Sequence, residues 1–585
     1  MKKLLFLFLS ASAAMFTACK QDDFLEPKTN VLVENDVFTD STRTMAFLGR
    51  IYSDISYVYY KGRWNGTSST DVATDDAEFR YNGLGQPGVQ LYNGSVTPLN
   101  VAFGETYDRP WRNIRRVNIF LAKLPTVPLS ARMKTRTEAE ARFLRAWYYQ
   151  TLLIHYGGVS LIGDKVYGIE ETINLPRNTY AECVDYIVSE LNAAANILPS
   201  VDMPVTMGGY AEQDYGRITK GACLALKSRL LLQAASPLFN GQSEATDPAL
   251  KEIVSYPTYS VSHWQRAADA AKEVIDGKGG TYSLNTNTAS PGLGFYELFL
   301  KRVNSEYIIF QNRGAQREYE EYYLPPSRGG QYNILPTQNL VECFPMKNGK
   351  AITDPTSGFN PDKPYENRDP RFGYTVIYNM SMYQLGNQGQ QPVYTYEGAG
   401  QDGYGPTSYT TGYYCRKMCD VNIAPNGSGN TLRGWPLLRY AEILLNYAEA
   451  INETGQPQLA YASLIELRKR AGIEPGTDNN YGLRPGMGQA EMRELVRNER
   501  RIELAYEDHR WNDTRRWKTA MVVNNAFNKR IRIVQANNAT PPTSRTAYTV
   551  TESIRRRNFR PEMYLLPIPD SEIRKASAVV QNPLY

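Results

Sequence analysis

Residues 137–158 read Thr137-Glu-Ala-Glu-Ala-Arg-Phe-Leu-Arg-Ala-Trp-Tyr-Tyr-Gln-Thr-Leu-Leu-Ile-His-Tyr-Gly-Gly158. Thr137 and Glu140 stand at the spacing of a capping box, in which two side chains satisfy orphan amides of a first helical turn. Phe143, Leu144, Trp147, Tyr148 and Leu152 recur at helical intervals, and Gly157-Gly158 closes the run. The stretch predicts an amphipathic helix. Its apolar stripe must be buried against other helices.

The same pattern recurs along the chain. Thr179-x-x-Glu182 opens a helix with Val184, Ile187, Leu191 and Leu198 inward and Pro199 as its stop. Ala222, Leu226 and Leu230 mark another, closing before Pro237, which disfavours helix in Ser236. Ser262-x-x-Gln265 opens a fourth, with Trp264, Ala268, Ala271 and Ile275 on one face and Gly277 beyond it. In the C-terminal third, helices are expected over Leu437 to Asn452, over Leu459 to Ala471 (ending at Gly472), and from about Ala490 to Tyr506. Paired amphipathic helices with small residues at their contacts predict a mainly α fold, a degenerate tetratricopeptide-like scaffold of stacked helix–turn–helix units.

Two stretches break this pattern. Residues 52–113 are rich in Gly, Asn, Tyr and Trp, and residues 281–433 in Gly, Pro, Tyr and Asn. Long irregular insertions on a rigid frame carry function.

The motifs at these positions resemble the SusD/RagB family of outer-membrane nutrient-binding lipoproteins. The resemblance rests on Glu138 to Ala146 running into Tyr156-Gly157-Gly158, on Ala225 to Asn240, and on Asn367-Arg368-Asp369-Pro370-Arg371. It continues through Leu438 to Leu445, Arg468-x-Arg470-Ala471-Gly472 and Glu499 to Leu504 with Arg515-Arg516-Trp517. It ends with Leu566 to Pro569 and Gln581-Asn582-Pro583. The resemblance implies four tetratricopeptide-like units with a ligand face made by the insertions. It also implies a role as the lid of a SusC-type TonB-dependent outer-membrane transporter, capturing oligosaccharide or, less often, peptide; the alternative reading is a purely structural lid that gates the transporter. No cofactor is implied. The family motifs themselves read as architecture. Glu499, Arg500 and Glu503 are spaced to pair along a helix, Arg515 and Arg516 offer forks for carboxylates, and Asn367 to Arg371 fits a pinned turn.

The N-terminus adds a location. Two lysines, a short apolar run from Leu4 to Leu9, and small residues precede Cys19. This is the order of a secretory signal, and its apolar part is too short to span a bilayer. A cysteine at the cleavage point resembles a lipobox, with Cys19 as the acylated residue. Several acyl chains at ~0.8 kcal/mol per buried methylene hold firmly. The expected organisation is a signal peptide at 1–18, a lipidated tether at 19–35, a helical lobe at 36–280 carrying insertion 52–113, and a second lobe at 281–585. The second lobe carries insertion 281–433 and the closing helices. The expected location is the outer membrane, lipid-anchored and exposed at the cell surface, with the lipid as the sole membrane contact.

Composition narrows the ligand. The net charge of +5 is spread without a dense basic block, so nucleic acid is not indicated. Tyrosine is abundant (42 residues) and histidine scarce (3), which favours flat amphipathic contact surfaces over acid–base chemistry. Beyond Cys19 the cysteines number five, an odd count. They read as structural thiols, with Cys415 and Cys419 spaced for a local disulfide and no second pair to complete a zinc set.

The ligand face is expected in the insertions, where aromatic platforms stand beside polar forks. In the first, Tyr57, Tyr60 and Trp64 lie with Arg63 and Asn65, followed by Asp76, Arg80 and Tyr81. In the second, Arg313, Tyr322, Tyr323 and Arg328 precede Tyr332. Trp64 is the foremost candidate, because a tryptophan in a Gly/Asn-rich loop has few apolar neighbours.

Catalytic constellations are missing from the sequence. Gly83-x-Gly85-x-x-Gly88 matches the dinucleotide fingerprint in letters only, with Pro87 inside it, and reads as a flexible loop without a preceding buried strand or a following helix. Asp75 and Asp76 are adjacent and read as solvated, not as the facing carboxylates of a glycosidase. His155, His263 and His509 are far apart and read as packing or capping residues. The sequence therefore points to a binding module without a metal site or catalytic residues.

Overall fold

The computed structural model describes residues 34–56, 69–81, 83, 85–168, 170–423, 430–535 and 546–585. Eight helices form the frame: α1 (Glu105–Lys123), α2 (Ala131–Tyr156), α3 (Tyr180–Ala195), α4 (Lys220–Ala235), α5 (Val261–Ile275), α6 (Tyr440–Glu453), α7 (Tyr461–Ala471) and α8 (Gln489–Glu503). Consecutive helices pack on one another from α1 to α6, and α6 then takes both α7 and α8. The fold is mainly helical, as the periodicity predicts. The frame is built from sequence-distant halves, since α6 also packs on α4. None of the described helices is long and apolar enough to cross a membrane.

Local chemistry sets most helix ends where they were expected. Thr179 and Glu182 form the capping box of α3. Thr219 caps α4, which stops at Ser236 before Pro237. α7 ends on Gly472 at φ +82°, the left-handed conformation that suits glycine.

Other expectations are corrected. The cap of α2 is Ser130, whose Oγ accepts from Met133 N. Thr137 is two turns inside the helix and donates to the Met133 carbonyl at 2.8 Å. Glu140 is buried, accepting from Tyr52 Oη at 2.8 Å and Arg217 Nη1 at 2.9 Å. Tertiary partners therefore outweighed a local capping pattern. α5 is capped by Ser260, two residues before Ser262. Leu437 and Leu438 lie in a strand, Thr431–Arg439, so α6 starts at Tyr440. That strand pairs antiparallel with Tyr307–Gln316, and a buried strand of apolar residues is hard to tell from a helix by pattern alone. The stretch 52–113 ends in the first turns of α1 and is shorter as an irregular segment than its composition suggested.

The family motifs converge on a buried ionic network. Arg371 pairs with Asp369 at 2.7 Å, Glu499 at 2.7 Å and Glu503 at 2.9 Å. Arg439 pairs with Glu306 at 2.6 Å, Glu503 at 2.7 Å and Glu507 at 2.7 Å. Arg470 joins Glu306 and Glu503, and Arg468 joins Glu499. Charges this deep persist only when each is paired and hydrogen-bonded. Glu499, Arg500 and Glu503 do not pair along their own helix. Arg500 turns to Asp513 at 2.8 Å, Arg516 to Glu449, and Arg515 to the Tyr564 carbonyl. Asp369 caps a short helix, Pro370–Thr375, which is the pinned turn read from Asn367 to Arg371. Cys183, Cys223, Cys343 and Cys419 are free thiols, so the local disulfide between Cys415 and Cys419 is not formed.

Candidate ligand-binding face

Two short strands bring the insertions together. β1 (Ala77–Phe79) lies in the first and β2 (Ile334–Pro336) in the second, and they pair antiparallel with Ala77 opposite Pro336 and Phe79 opposite Ile334. Thr337 secures the junction, its N–H donating to the Asp76 carbonyl at 3.0 Å and its hydroxyl to the Asp75 carbonyl at 2.5 Å.

This register sets Tyr81 and Tyr332 side by side just beyond the paired residues. The Arg80 guanidinium lies over both, 4.0 Å from the Tyr81 ring centre and 5.0 Å from that of Tyr332. Stacked guanidinium and phenol rings hold one another by cation–π attraction. Tyr81 is 51% exposed. Tyr332 has a positive φ of +41° and is braced edge-on by Tyr414 at 6.0 Å. Beneath them Arg555 donates to the Tyr81 carbonyl at 2.8 Å and to Glu78 at 3.0 Å, and lies 4.1 Å from the Tyr409 ring. The result is a surface on which Tyr81 is exposed and Arg80 and Tyr332 are half-buried, set on a hydrogen-bonded base.

Other expected site residues are placed elsewhere. Asp76 is buried and ion-paired with Arg501 at 2.6 Å, and Asp75 pairs with Arg501 at 2.7 Å and Arg510 at 2.9 Å. The two carboxylates are thus internal, not solvated, and no ligand can reach Asp76. Burial tends to raise the Asp75 carboxyl, but Arg501 and Arg510 hold it far below the usual range; burial wins at Asp76, which is raised. Tyr323 is fully buried. Arg328 is buried and donates to the carbonyls of Gln391 at 2.7 Å and Pro392 at 3.1 Å, so it ties loops together. Tyr322 is half-buried against the core, and Arg313 is engaged with Glu318. Tyr57, Tyr60, Arg63, Trp64 and Asn65, like Cys19, lie outside the described residues.

Tyr409 was missed by sequence reasoning. It stands in Tyr404-Gly-Pro-Thr-Ser-Tyr409, a run whose Gly-Pro signals a turn but not the strand edge that the turn faces. The Gly83 to Gly88 loop also differs from expectation. A buried strand precedes it and a helix, Pro87–Asn93, begins at Pro87. That strand belongs to a two-stranded antiparallel sheet, so no βαβ dinucleotide unit is formed. The histidines pack. His155 donates to the Thr151 carbonyl at 2.7 Å, His263 stacks on Tyr256 at 3.9 Å, and His509 lies beside Arg500.

Two family models match the chain: residues 301–585 match the SusD family, and residues 23–232 match a SusD-like family described as starch-binding, associating with the outer membrane. The chain belongs to the SusD/RagB family. SusD-like protein P38 of Formosa agariphila is 24% identical over 463 residues, covering 76% of this chain and 78% of that protein. A crystal structure of a SusD-like protein from Bacteroides fragilis NCTC 9343 superposes with a TM-score of 0.74 at 24% identity, covering 94% of this chain and 99% of that one. A SusD-like carbohydrate-binding protein of the same organism superposes with a TM-score of 0.69 at 22% identity, covering 93% and 99%. The chain therefore shares the SusD-like fold over nearly its whole length.

Proposed function

We propose that this SusD-like protein is a non-catalytic glycan-binding lipoprotein that captures an oligosaccharide and delivers it to a SusC-type TonB-dependent outer-membrane transporter. The observation that carries the reading is the Arg80–Tyr81–Tyr332 cluster at the junction of the two insertions. Sugar rings offer apolar C–H faces to exposed aromatic rings, and their hydroxyls need fixed donors such as a guanidinium. Trp64 and its neighbours, aromatic and polar residues of the same insertion, are further candidates from the sequence. The starch-binding, outer-membrane description of the family model over residues 23–232 supports both the ligand class and the location, and Cys19 supplies the lipid anchor.

Calorimetry with a panel of linear oligosaccharides tests the ligand class. Tyr81→Ala and Tyr332→Ala are each expected to weaken binding by about tenfold, and Trp64→Ala to weaken it without unfolding the protein. Unchanged affinity in all three variants removes this face from the site. Cys19→Ala is expected to abolish incorporation of labelled palmitate and release the protein from membranes.

A further inference from the structure

A cavity of about 620 Å³ lies between α1, the strap of residues 160–168 and 170–175 that follows α2, and the C-terminal helix Asp570–Lys575. This falls within the ~300–1,000 Å³ of small-molecule sites. None of its lining residues belongs to the Arg80–Tyr81–Tyr332 face.

The cavity is a built enclosure. Arg115 on α1 donates to the Tyr167 carbonyl of the strap. Asn118 donates to the carbonyls of Gly163 and Lys165, both at 2.9 Å, and Arg145 on α2 reaches Asp164 at 2.6 Å. At its other edge the strap is tied to the C-terminal segment, Ala578 N donating to Asn174 Oδ1 at 2.8 Å and Asn174 Nδ2 to Ser577 Oγ at 3.3 Å. A strap fastened on both edges holds the cavity open.

Its lining is that of a site for a neutral, hydroxylated ring. Trp111 is half-buried, and T-shaped contacts with Tyr107 at 6.2 Å and Tyr149 at 6.1 Å fix the orientation of its indole. Around it stand the carboxylates Asp108 and Glu572, the guanidinium groups of Arg112 and Arg115, and the ammonium groups of Lys165 and Lys575. Lys575 and Glu572 pair at 2.9 Å, and the Lys165 ammonium lies 4.1 Å from the Tyr167 ring centre. The cations are already engaged, Arg112 with Glu105, Arg115 with the Tyr167 carbonyl, Lys165 with Glu171 and Lys575 with Glu572, so an ionic ligand would have to break one of these contacts. A sugar hydroxyl both donates and accepts, so it bonds to either kind of group, while the C–H face of the ring packs on the indole.

We propose that this cavity is a second saccharide site, taking one neutral sugar ring against Trp111 between Asp108, Glu572, Lys165 and Lys575. It rests on the reading of the protein as a saccharide binder, but its location is independent of the insertion face. Two sites on one protein raise retention of a long chain through effective concentration.

Fluorine NMR of the full mature chain labelled with 5-fluorotryptophan tests it. Trp111→Phe assigns the Trp111 resonance among those of the 7 tryptophans, and maltohexaose and laminarihexaose are the probes. The expected result is a saturable shift of the Trp111 signal with at least one probe. That shift persists in the Tyr81→Ala/Tyr332→Ala double variant, and Asp108→Asn weakens it by about tenfold. A Trp111 signal that stays in place with both probes overturns the second site, whether or not the insertion face binds. Failure of the insertion-face reading is seen separately, as probe affinity that is indifferent to Tyr81 and Tyr332.

Discussion

Asp76 and Arg501, 425 residues apart in the chain, meet inside the protein at 2.6 Å. This pair locks the first insertion onto the end of α8, just before the buried network around Glu503. It explains how an irregular segment presents Arg80 and Tyr81 in a defined place four and five residues later. The proposed ligand face is irregular in backbone but anchored by charge.

Two tyrosines of the insertions separate binding from stability. Tyr81 is half exposed and Tyr323 fully buried. Tyr81→Ala is expected to leave the denaturation midpoint within about 0.5 kcal/mol of wild type while weakening oligosaccharide binding. Tyr323→Ala is expected to cost about 3–5 kcal/mol of stability. Urea denaturation and calorimetry on both proteins decide this, and a stable Tyr323→Ala protein would move that residue out of the core.

The buried network makes a second demand. Arg439→Met removes the cation shared by Glu306, Glu503 and Glu507 and leaves carboxylates desolvated. Breaking such a set from one side costs about 3–5 kcal/mol. Chemical denaturation should show this loss, and a smaller effect than that of a surface Arg→Met change would show that the network is dispensable.

Acid should weaken the fold in two stages. Burial disfavours the His155 imidazolium and nearby Arg515 adds to this, lowering its pKa from 6.5 to about 4. As pH falls through that window the unfolded chain takes a proton that the folded chain refuses, so stability drops. Burial pushes Glu449 up, but Arg516 overrides it, bringing the carboxyl from 4.5 to about 2; Glu507, held by Arg439 and Lys417 against burial, is also lowered to about 2. Their contribution is present above pH 4.5 and lost as pH falls toward 2. Melting temperatures measured from about pH 7 to about pH 3 should decline first gently and then steeply, and His155→Gln should lessen the upper part of the decline, to which His263 and His509, also lowered by burial, contribute as well. Identical curves for the two proteins would exclude His155 from the upper-window groups.

Gly472 and Gly455 isolate the price of a close approach. Both have positive φ, +82° and +83°. A Cβ on Gly472 would lie 2.7 Å from Pro291 Cβ and 2.8 Å from Gly292 N, whereas one on Gly455 meets nothing within 4 Å. Gly455→Ala should therefore cost about 1 kcal/mol from backbone strain alone. Gly472→Ala should cost about 2 kcal/mol or more, because α7 must also move off the start of the second insertion. Equal losses in thermal denaturation would refute the packing contribution.

The sequence by itself determined the helical frame, because the apolar spacing in α3 to α5 and stops such as Pro237 and Gly472 act over a few residues. It also carried the composition of the insertions and the family motifs at Asn367 to Arg371 and Glu499 to Leu504. Only the tertiary structure decided which insertion residues face outward. Asp76, Arg80, Tyr81, Tyr323 and Arg328 are all polar or aromatic residues in irregular segments, and no local period separates them. Their fates diverge because Arg501 draws Asp76 inward, the Gln391 and Pro392 carbonyls capture Arg328, and the β1–β2 register carries Tyr81 out beside Tyr332. Burial of these polar side chains depends on partners supplied from 63 to 425 residues away, and they are found only when the chain folds.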